Sequence, residues 1–191
     1  MINLGSIKID GKDIKHCDLK KLRSEMDILT QESPLFNGTL RENLNLRAVK
    51  DESDYIMVEI LNELGFKSFL EIDLDMKIEA NGANLSIGER QIICFCRVLL
   101  SKRKLVIMDE STASIDLKSE ERIQRTLINS FNDCTMIIIA HRLQTIMHCD
   151  RIMVLKNGKI IEFDSPKKLL AKPNGYFKKM YNKNQKFVKS S

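Results

Sequence analysis

The sequence predicts an α/β fold in which a parallel sheet has helices on both faces and carries an inserted helical subdomain. The main observation is the order strand, helix, strand: apolar runs at 105–108 and 135–140 flank a helical pattern at about 117–130. This alternation is typical of parallel sheets. A second observation is that residues 32–101 are mostly helical in pattern. The length of 191 residues suits one globular domain.

Further strands are predicted near both ends of the chain. Residues 6–14 alternate apolar and polar side chains around an Asp-Gly turn, which predicts two short strands. Residues 26–30 predict another strand, which ends at Gln31. Residues 151–163 suit a closing hairpin around an Asn-Gly turn.

Helix ends are marked by local signals. Thr39 and Glu42 have the spacing of a capping box, and the apolar face at 56–64 ends at a glycine. Ser165-Pro166 has the cap and the first-turn proline of a final helix.

We expect these elements to form a single partial domain. Residues 1–31 and 102–165 make the α/β core, residues 32–101 the helical subdomain, and residues 166–191 a C-terminal helix with a basic tail. No apolar run approaches the roughly 20 residues that span a bilayer, and the N-terminus does not resemble a signal peptide. Five cysteines without a C-x-x-C pair indicate buried or idle thiols in a reducing compartment.

The net charge of +5 is concentrated at the end of the chain, where residues 156–191 carry ten lysines against two carboxylates. Such a tail could contact an anionic membrane surface or RNA. It lacks the interleaved aromatic residues and arginines that stack on bases. A solvated tail is therefore the favoured interpretation, and we expect no nucleic-acid partner.

The strongest chemical signal is a run of four apolar residues that leads into Asp109 and Glu110. A buried strand that ends in a carboxylate places a hard oxygen ligand where the magnesium of a nucleotide lies in open α/β sheets. Glu110, one residue further on, can polarise a water molecule aimed at a γ-phosphate. Many strands also end in acidic caps without any such role.

The segment around Ser86, Gly88 and Glu89 has two interpretations. Ser86 and Glu89 have capping-box spacing and would begin the following apolar helix in any case. The same helix start, with free N–H groups, a hydroxyl and a glycine, is also an anion site. Both interpretations can hold. Similarly, His141 is a lone histidine of the usual structural kind, or a phosphate ligand at the end of its strand.

A phosphate-binding loop is not found in the sequence. Gly5 and Gly11 have five residues between them instead of four, and Asp13 stands where a magnesium-binding hydroxyl is needed. We therefore interpret this segment as strand.

The ordered set Gln31, 85–89, Asp109-Glu110, 114–116 and His141 resembles the Q-loop, signature, Walker B, D-loop and switch-histidine series of ABC transporter nucleotide-binding domains. The resemblance covers nearly the whole chain, and it is strongest to the second such domain of the multidrug-resistance-associated, or C-type, subfamily. It implies a P-loop NTPase-like fold, with ATP and Mg²⁺ as ligands.

The resemblance implies a role for each residue at the sheet. Asp109 would hold magnesium through water, Glu110 would act as general base, and His141 would orient the γ-phosphate. Gln31 would sense the magnesium and the attacking water while linking to the transmembrane partner.

Other residues would act across a head-to-tail dimer with a second nucleotide-binding domain. Ser86 and Gly88 would close over ATP held by the opposite domain, and Asp116 would signal across the interface. Glu89 replaces the usual glutamine, so it adds a negative charge near a phosphate.

The resemblance also implies that the Walker A strand and loop are missing, so we expect the chain to begin after them and to be inactive alone. The expected function is the ATP-hydrolysing part of an exporter, at the cytoplasmic face of a membrane and joined to transmembrane domains. The alternative is a non-catalytic module that donates its signature motif or only mediates assembly. A soluble ABC protein acting on ribosomes is a weaker third interpretation.

Overall fold

A computed structural model describes residues 5–30, 34–46, 53–109, 122–123, 125–126, 129–131, 133–140 and 143–189. It divides into two compact units, residues 1–139 and 140–191. The expected division into an α/β core and a helical subdomain stays a prediction.

The first unit combines short strands with longer helices. Its strands are β1 (Lys8–Ile9), β2 (Lys12–Asp13), β3 (Met26–Leu29), β4 (Gly38–Thr39), β5 (Lys77–Ile78), β6 (Leu105–Asp109) and β7 (Thr135–Ile139), and its helices are α1 (Leu19–Ser24), α2 (Leu40–Asn45), α3 (Asp54–Leu64) and α4 (Ile87–Ser101). The described residues between 122 and 130 are also helical. The predicted strands and the helix ends at Thr39, Gly65 and Ser86 are confirmed, as is the turn at Asp10 and Gly11, where both residues have positive φ. The predicted helix start near residue 117 lies outside the described residues.

This unit contains a parallel sheet of order β3-β6-β7, and a parallel sheet is what the sequence predicts. Its two faces differ in burial. Val106 and Met108 are buried on one face. On the other face, the paired residues Ile28, Ile107 and Ile137 lie side by side, and Ile28 and Ile137 are each 49% exposed.

Helix α4 is the main packing element. Eleven consecutive residues, from Gln91 to Ser101, are buried. The helix packs against α2, α3 and β3, and its apolar side chains join those of the other helices in one core. A helix that is buried on every side has its position fixed by its neighbours.

The second unit contains an antiparallel hairpin and three helices. Its elements are α5 (Leu143–Ile146), β8 (Ile152–Lys156), β9 (Lys159–Asp164), α6 (Pro166–Ala171) and α7 (Tyr176–Lys189). Val154, Leu169 and Phe177 belong to a separate small core. No helix among the residues described in either unit is long and apolar enough to cross a membrane.

The C-terminal region differs from the single helix that the pattern predicts. Two helices are present, and Pro173 lies in the short connection between them. Proline cannot donate a backbone hydrogen bond, so it interrupts helices. The second helix begins where the backbone N–H of Phe177 donates to Glu162 Oε2 at 2.8 Å.

A test of this packing uses Gly82, which has φ +67° and is buried. A Cβ at this position would lie 2.8 Å from side-chain carbons of both Arg90 and Leu35. We expect Gly82→Ala to lower the free energy of unfolding by about 2 to 4 kcal/mol, since strained backbone and crowding both contribute. Urea titration followed by circular dichroism measures this change.

The matched control is Gly11→Ala. Gly11 has φ +77°, and a Cβ there would meet nothing within 4 Å. In this variant the free energy of unfolding should fall only by the cost of the strained backbone, about 1 to 2 kcal/mol. Equal losses in both variants would contradict the packing around Gly82.

Candidate functional site

The carboxyl ends of the three parallel strands lie together at one edge of the sheet. Leu29 pairs with Met108, and Asp109 pairs with Ile139. Gln31, Glu110 and His141 follow these strand ends by one or two residues in the sequence. Because parallel strands end at the same edge of a sheet, the three strand ends that precede these residues lie close together. Gln31, Glu110, Asp116 and His141 themselves lie outside the described residues.

Among the residues predicted to bind magnesium or ATP at this edge, Asp109 is the one that the structure describes. Its side chain is exposed at the end of β6. The two residues that alternate with it toward the interior, Val106 and Met108, are buried. This places an accessible carboxylate on a rigid strand. Mg²⁺ in nucleotide sites commonly takes one or two carboxylates and completes its shell with phosphate oxygens and water. Asp109 therefore fits the magnesium role. No group of three or more His, Cys, Asp or Glu side chains within the described residues is arranged to hold a metal ion.

The second group of predicted residues lies at the start of α4. Ser86 is the N-cap, and its hydroxyl accepts a hydrogen bond from the backbone N–H of Glu89 at 3.2 Å. Glu89 Oε2 in turn accepts from the Ser86 N–H at 2.9 Å and lies 2.8 Å from its hydroxyl oxygen. The predicted capping box is therefore present, with the carboxylate of Glu89 folded back over the helix start.

The space in front of this helix start is open. A Cβ at Gly88 would meet nothing within 4 Å. The first-turn N–H groups of a helix have no partner inside it, and the positive end of the helix dipole favours an anion there. A phosphate group fits this arrangement on the side of Ile87 and Gly88. Glu89 opposes it, because its carboxylate already accepts from Ser86.

The loop before Ser86 is held in place by side chains. Asn84 Oδ1 accepts from the backbone N–H of Glu79 at 3.0 Å, and Asn84 Nδ2 donates to the Lys77 carbonyl at 2.8 Å. Arg90 Nη1 donates to the carbonyl of Asn81 at 3.2 Å. Sequence reasoning missed this function of Asn84. The available signal was an asparagine two residues before an N-cap, where a side chain often pairs with nearby backbone.

The cysteines fit the interpretation as idle thiols within the described structure. Cys94 and Cys96 are buried in α4, and all five cysteines are free. Burial raises the pKa of Cys96 far above its ordinary range. Burial, together with the neighbouring Asp150, raises the pKa of Cys149. The thiols of Cys96 and Cys149 are therefore protonated at neutral pH and are weak nucleophiles.

Comparison with known proteins agrees with this arrangement. The family model for ABC transporters matches residues 2–113, which is more than half of the chain. The chain is 44% identical over 174 residues to ATP-binding cassette sub-family C member 2 of Homo sapiens. It is 47% identical over 175 residues to ABC transporter C family member 12 of Dictyostelium discoideum. These alignments cover 91% and 90% of the chain, but only 11% and 13% of the relatives.

The fold agrees as well. A solved bacterial Atm1-family ABC exporter with ATP bound has a TM-score of 0.83 and 31% sequence identity to this chain. The similarity covers 95% of this chain and 32% of that one. The predicted fold class and the resemblance to the C-type subfamily are thus confirmed, and the chain belongs to the ABC transporter family.

Proposed function

We propose that the chain provides residues of an ATP-hydrolysing site in an ABC transporter, where hydrolysis drives export of a solute through transmembrane segments. The observation that carries this proposal is the open start of α4 at Gly88, preceded by a hydroxyl at Ser86 and a loop fixed by Asn84. The family membership supports an anion-binding role for this start rather than capping alone.

At the sheet edge, we assign roles to four residues. Asp109 would hold magnesium, and Gln31 would sense the magnesium and the attacking water. Glu110 accepts a proton from that water, whose oxygen then bonds to the γ-phosphorus. The bond from the γ-phosphorus to the bridging oxygen breaks, giving ADP and phosphate. His141 orients the γ-phosphate. The exposure of Asp109 and the common edge of β3, β6 and β7 support these assignments.

Ser86, Gly88 and Asp116 act on a second nucleotide-binding domain in a head-to-tail dimer. Ser86 and Gly88 donate hydrogen bonds to the γ-phosphate of ATP that the other domain holds. Such a dimer would lie at the cytoplasmic face of a membrane, against the transmembrane domains. The resemblance to an ATP-bound exporter supports this arrangement.

A second candidate function is a non-catalytic module that donates its signature helix while binding no nucleotide itself. The sequence of these 191 residues contains no G-x-x-x-x-G-K-[ST] motif. That motif supplies several backbone N–H donors and a lysine to the phosphates. The two candidates differ in whether these residues alone hold ATP.

We expect the 191-residue chain to bind MgATP only in the millimolar range or more weakly. Charge-assisted hydrogen bonds contribute about 1.5 to 3 kcal/mol each. A micromolar dissociation constant corresponds to a binding free energy of about 8 kcal/mol. Three missing bonds therefore remove most of the affinity. Isothermal calorimetry measures the dissociation constant.

The control for this measurement is a complete nucleotide-binding domain from a C-family relative in the same buffer. Micromolar binding by that domain and not by this chain is the expected result. A low-micromolar constant for the 191-residue chain would show that its own residues suffice.

Glu89→Gln should strengthen the ATP-dependent association of this chain with that complete domain by about tenfold. A unit charge removed about 6 Å from a phosphate, at an effective dielectric constant near 40, contributes roughly 1.4 kcal/mol. Glutamine still accepts from the Ser86 N–H, so the helix cap is kept. Sedimentation equilibrium with and without MgATP gives the association constant.

The matched control is Glu79→Gln, which removes the same charge from an exposed side chain that caps no helix. It should leave the association constant unchanged. An equal change of the association constant in both variants would indicate an effect of net charge. An unchanged association constant in Glu89→Gln would mean that the phosphate does not bind near Glu89.

A further inference from the structure

The segment from Pro34 to Gly38 is attached to two helices by buried polar side chains. It begins three residues after Gln31 in the sequence. Asn43 of α2 is 1% exposed and Arg97 of α4 is 6% exposed. Both contact the backbone of this segment, so its position is set by hydrogen bonds as well as by apolar packing.

Asn43 uses all of its hydrogen-bonding groups. Its Oδ1 accepts from the N–H of Phe36 at 2.9 Å, and its Nδ2 donates to the carbonyls of Phe36 and Thr39, both at 2.9 Å. The side-chain amide thus pairs with Phe36 as a strand neighbour would. The fourth bond joins Asn43 Oδ1 to Arg97 Nη2 at 2.6 Å. A fully satisfied buried amide of this kind specifies one arrangement of its partners.

Arg97 extends the attachment to α4. Its Nε donates to the carbonyl of Asn43 at 2.6 Å, and its Nη1 donates to the carbonyl of Pro34 at 2.8 Å. The central carbon of the guanidinium lies 5.8 Å from the centroid of the Phe36 ring. The planar fork therefore joins α2, α4 and the segment at once, and lysine has no equivalent geometry.

A third attachment reaches the loop before the signature motif. The N–H of Asn81 donates to the carbonyl of Leu35 at 3.1 Å, and the Leu35 side chain is buried. The segment after Gln31 is thus bound both to the body of α4 and to the loop that enters it.

We propose that Arg97 and Asn43 are positioning residues: by holding residues 34–38 against α4 and α2, they set where the first turn of the signature helix lies. Ser86 lies eleven residues before Arg97 on the same helical path, about 16 Å away. The position of Ser86 therefore depends on the contacts of Arg97. This role in catalysis rests on the proposed function.

The test compares Arg97→Lys with the wild-type 191-residue chain by amide hydrogen exchange. We expect peptides covering residues 34–38 to exchange about tenfold faster in the variant, the equivalent of one buried hydrogen bond. The peptide of β6 should exchange at the wild-type rate. Equal acceleration in β6 would mean that Arg97 stabilises the fold as a whole, and the proposal would be overturned.

Two further variants sharpen this test. Arg41→Lys makes the same change at an exposed arginine that pairs with Asp54 and Asp75, and it should leave the exchange at 34–38 unchanged. Asn43→Asp keeps an acceptor for Arg97 but loses both donors to the backbone. It should loosen residues 34–38 even if Arg97→Lys does not fold.

The functional readout is the ATP-dependent association with a complete nucleotide-binding domain. Arg97→Lys should weaken it about tenfold by misplacing Ser86, although Ser86 itself is unchanged. Faster exchange at 34–38 with unaltered association would disprove the effect of Arg97 on Ser86. If the wild-type chain does not associate, the proposed function fails, while hydrogen exchange still decides whether Arg97 holds residues 34–38.

Discussion

The burial of α4 is the constraint on which the rest of the structure depends. Because eleven consecutive residues are enclosed, polar side chains among them are stabilised by partners inside the protein, and Arg97 and Ser101 have such partners. Arg97 finds carbonyl groups of Pro34 and Asn43. Ser101 hydrogen-bonds to the buried Asp27 of β3. These bonds fix the helix against the segment after Gln31 at its middle and against the sheet at its end. The exposed first turn is thereby left in a defined place.

Capping and anion binding at that first turn use the same physical groups. The hydroxyl and the N–H of Ser86 satisfy the helix start when they contact Glu89, and they are the groups that a phosphate would take. A glutamine there would cap the helix equally well without repelling an anion. The sequence pattern alone therefore could not separate the two interpretations. A Cβ at Gly88 would meet nothing within 4 Å, so the helix is open at this residue. In the proposed function, the charge of Glu89 would weaken the phosphate contact that the association experiment measures.

Local chemistry made much of the fold predictable from the sequence. Capping boxes at Thr39 and Ser86 are specified by residues three positions apart, and both are present. Apolar runs gave the strands of the parallel sheet. The pairing of Arg97 with Asn43, 54 residues away, was not predictable. An arginine within the apolar part of a helix carries no signal for its partner. The break at Pro173 was a signal in the sequence that the prediction of one final helix overlooked.

For the candidate site, the sequence predicted the positions of some residues, whereas for others it predicted only a role. The places of Ser86, Gly88, Glu89 and Asp109 agree with their expected elements, since each lies at the end of a helix or strand. The roles of Gln31, Glu110, Asp116 and His141 stay predictions. These roles were inferred from the order of the motifs in the sequence, and the four residues lie outside the part of the chain that the structure describes.

The two anchors of α4 have a mechanical consequence for the proposed role of Arg97. Ser101 is attached to the sheet through Asp27, whereas Arg97 is attached to the segment after Gln31. A pull on that segment would therefore turn the helix about its C-terminal end. The helix has 15 residues and is about 22 Å long, so a rotation of about 5° would move its first turn by about 2 Å. Hydrogen bonds of 2.8 Å do not survive such a shift. In the proposed function, a small displacement of residues 34–38 would thus be enough to make or break the proposed contact of Ser86 with a phosphate.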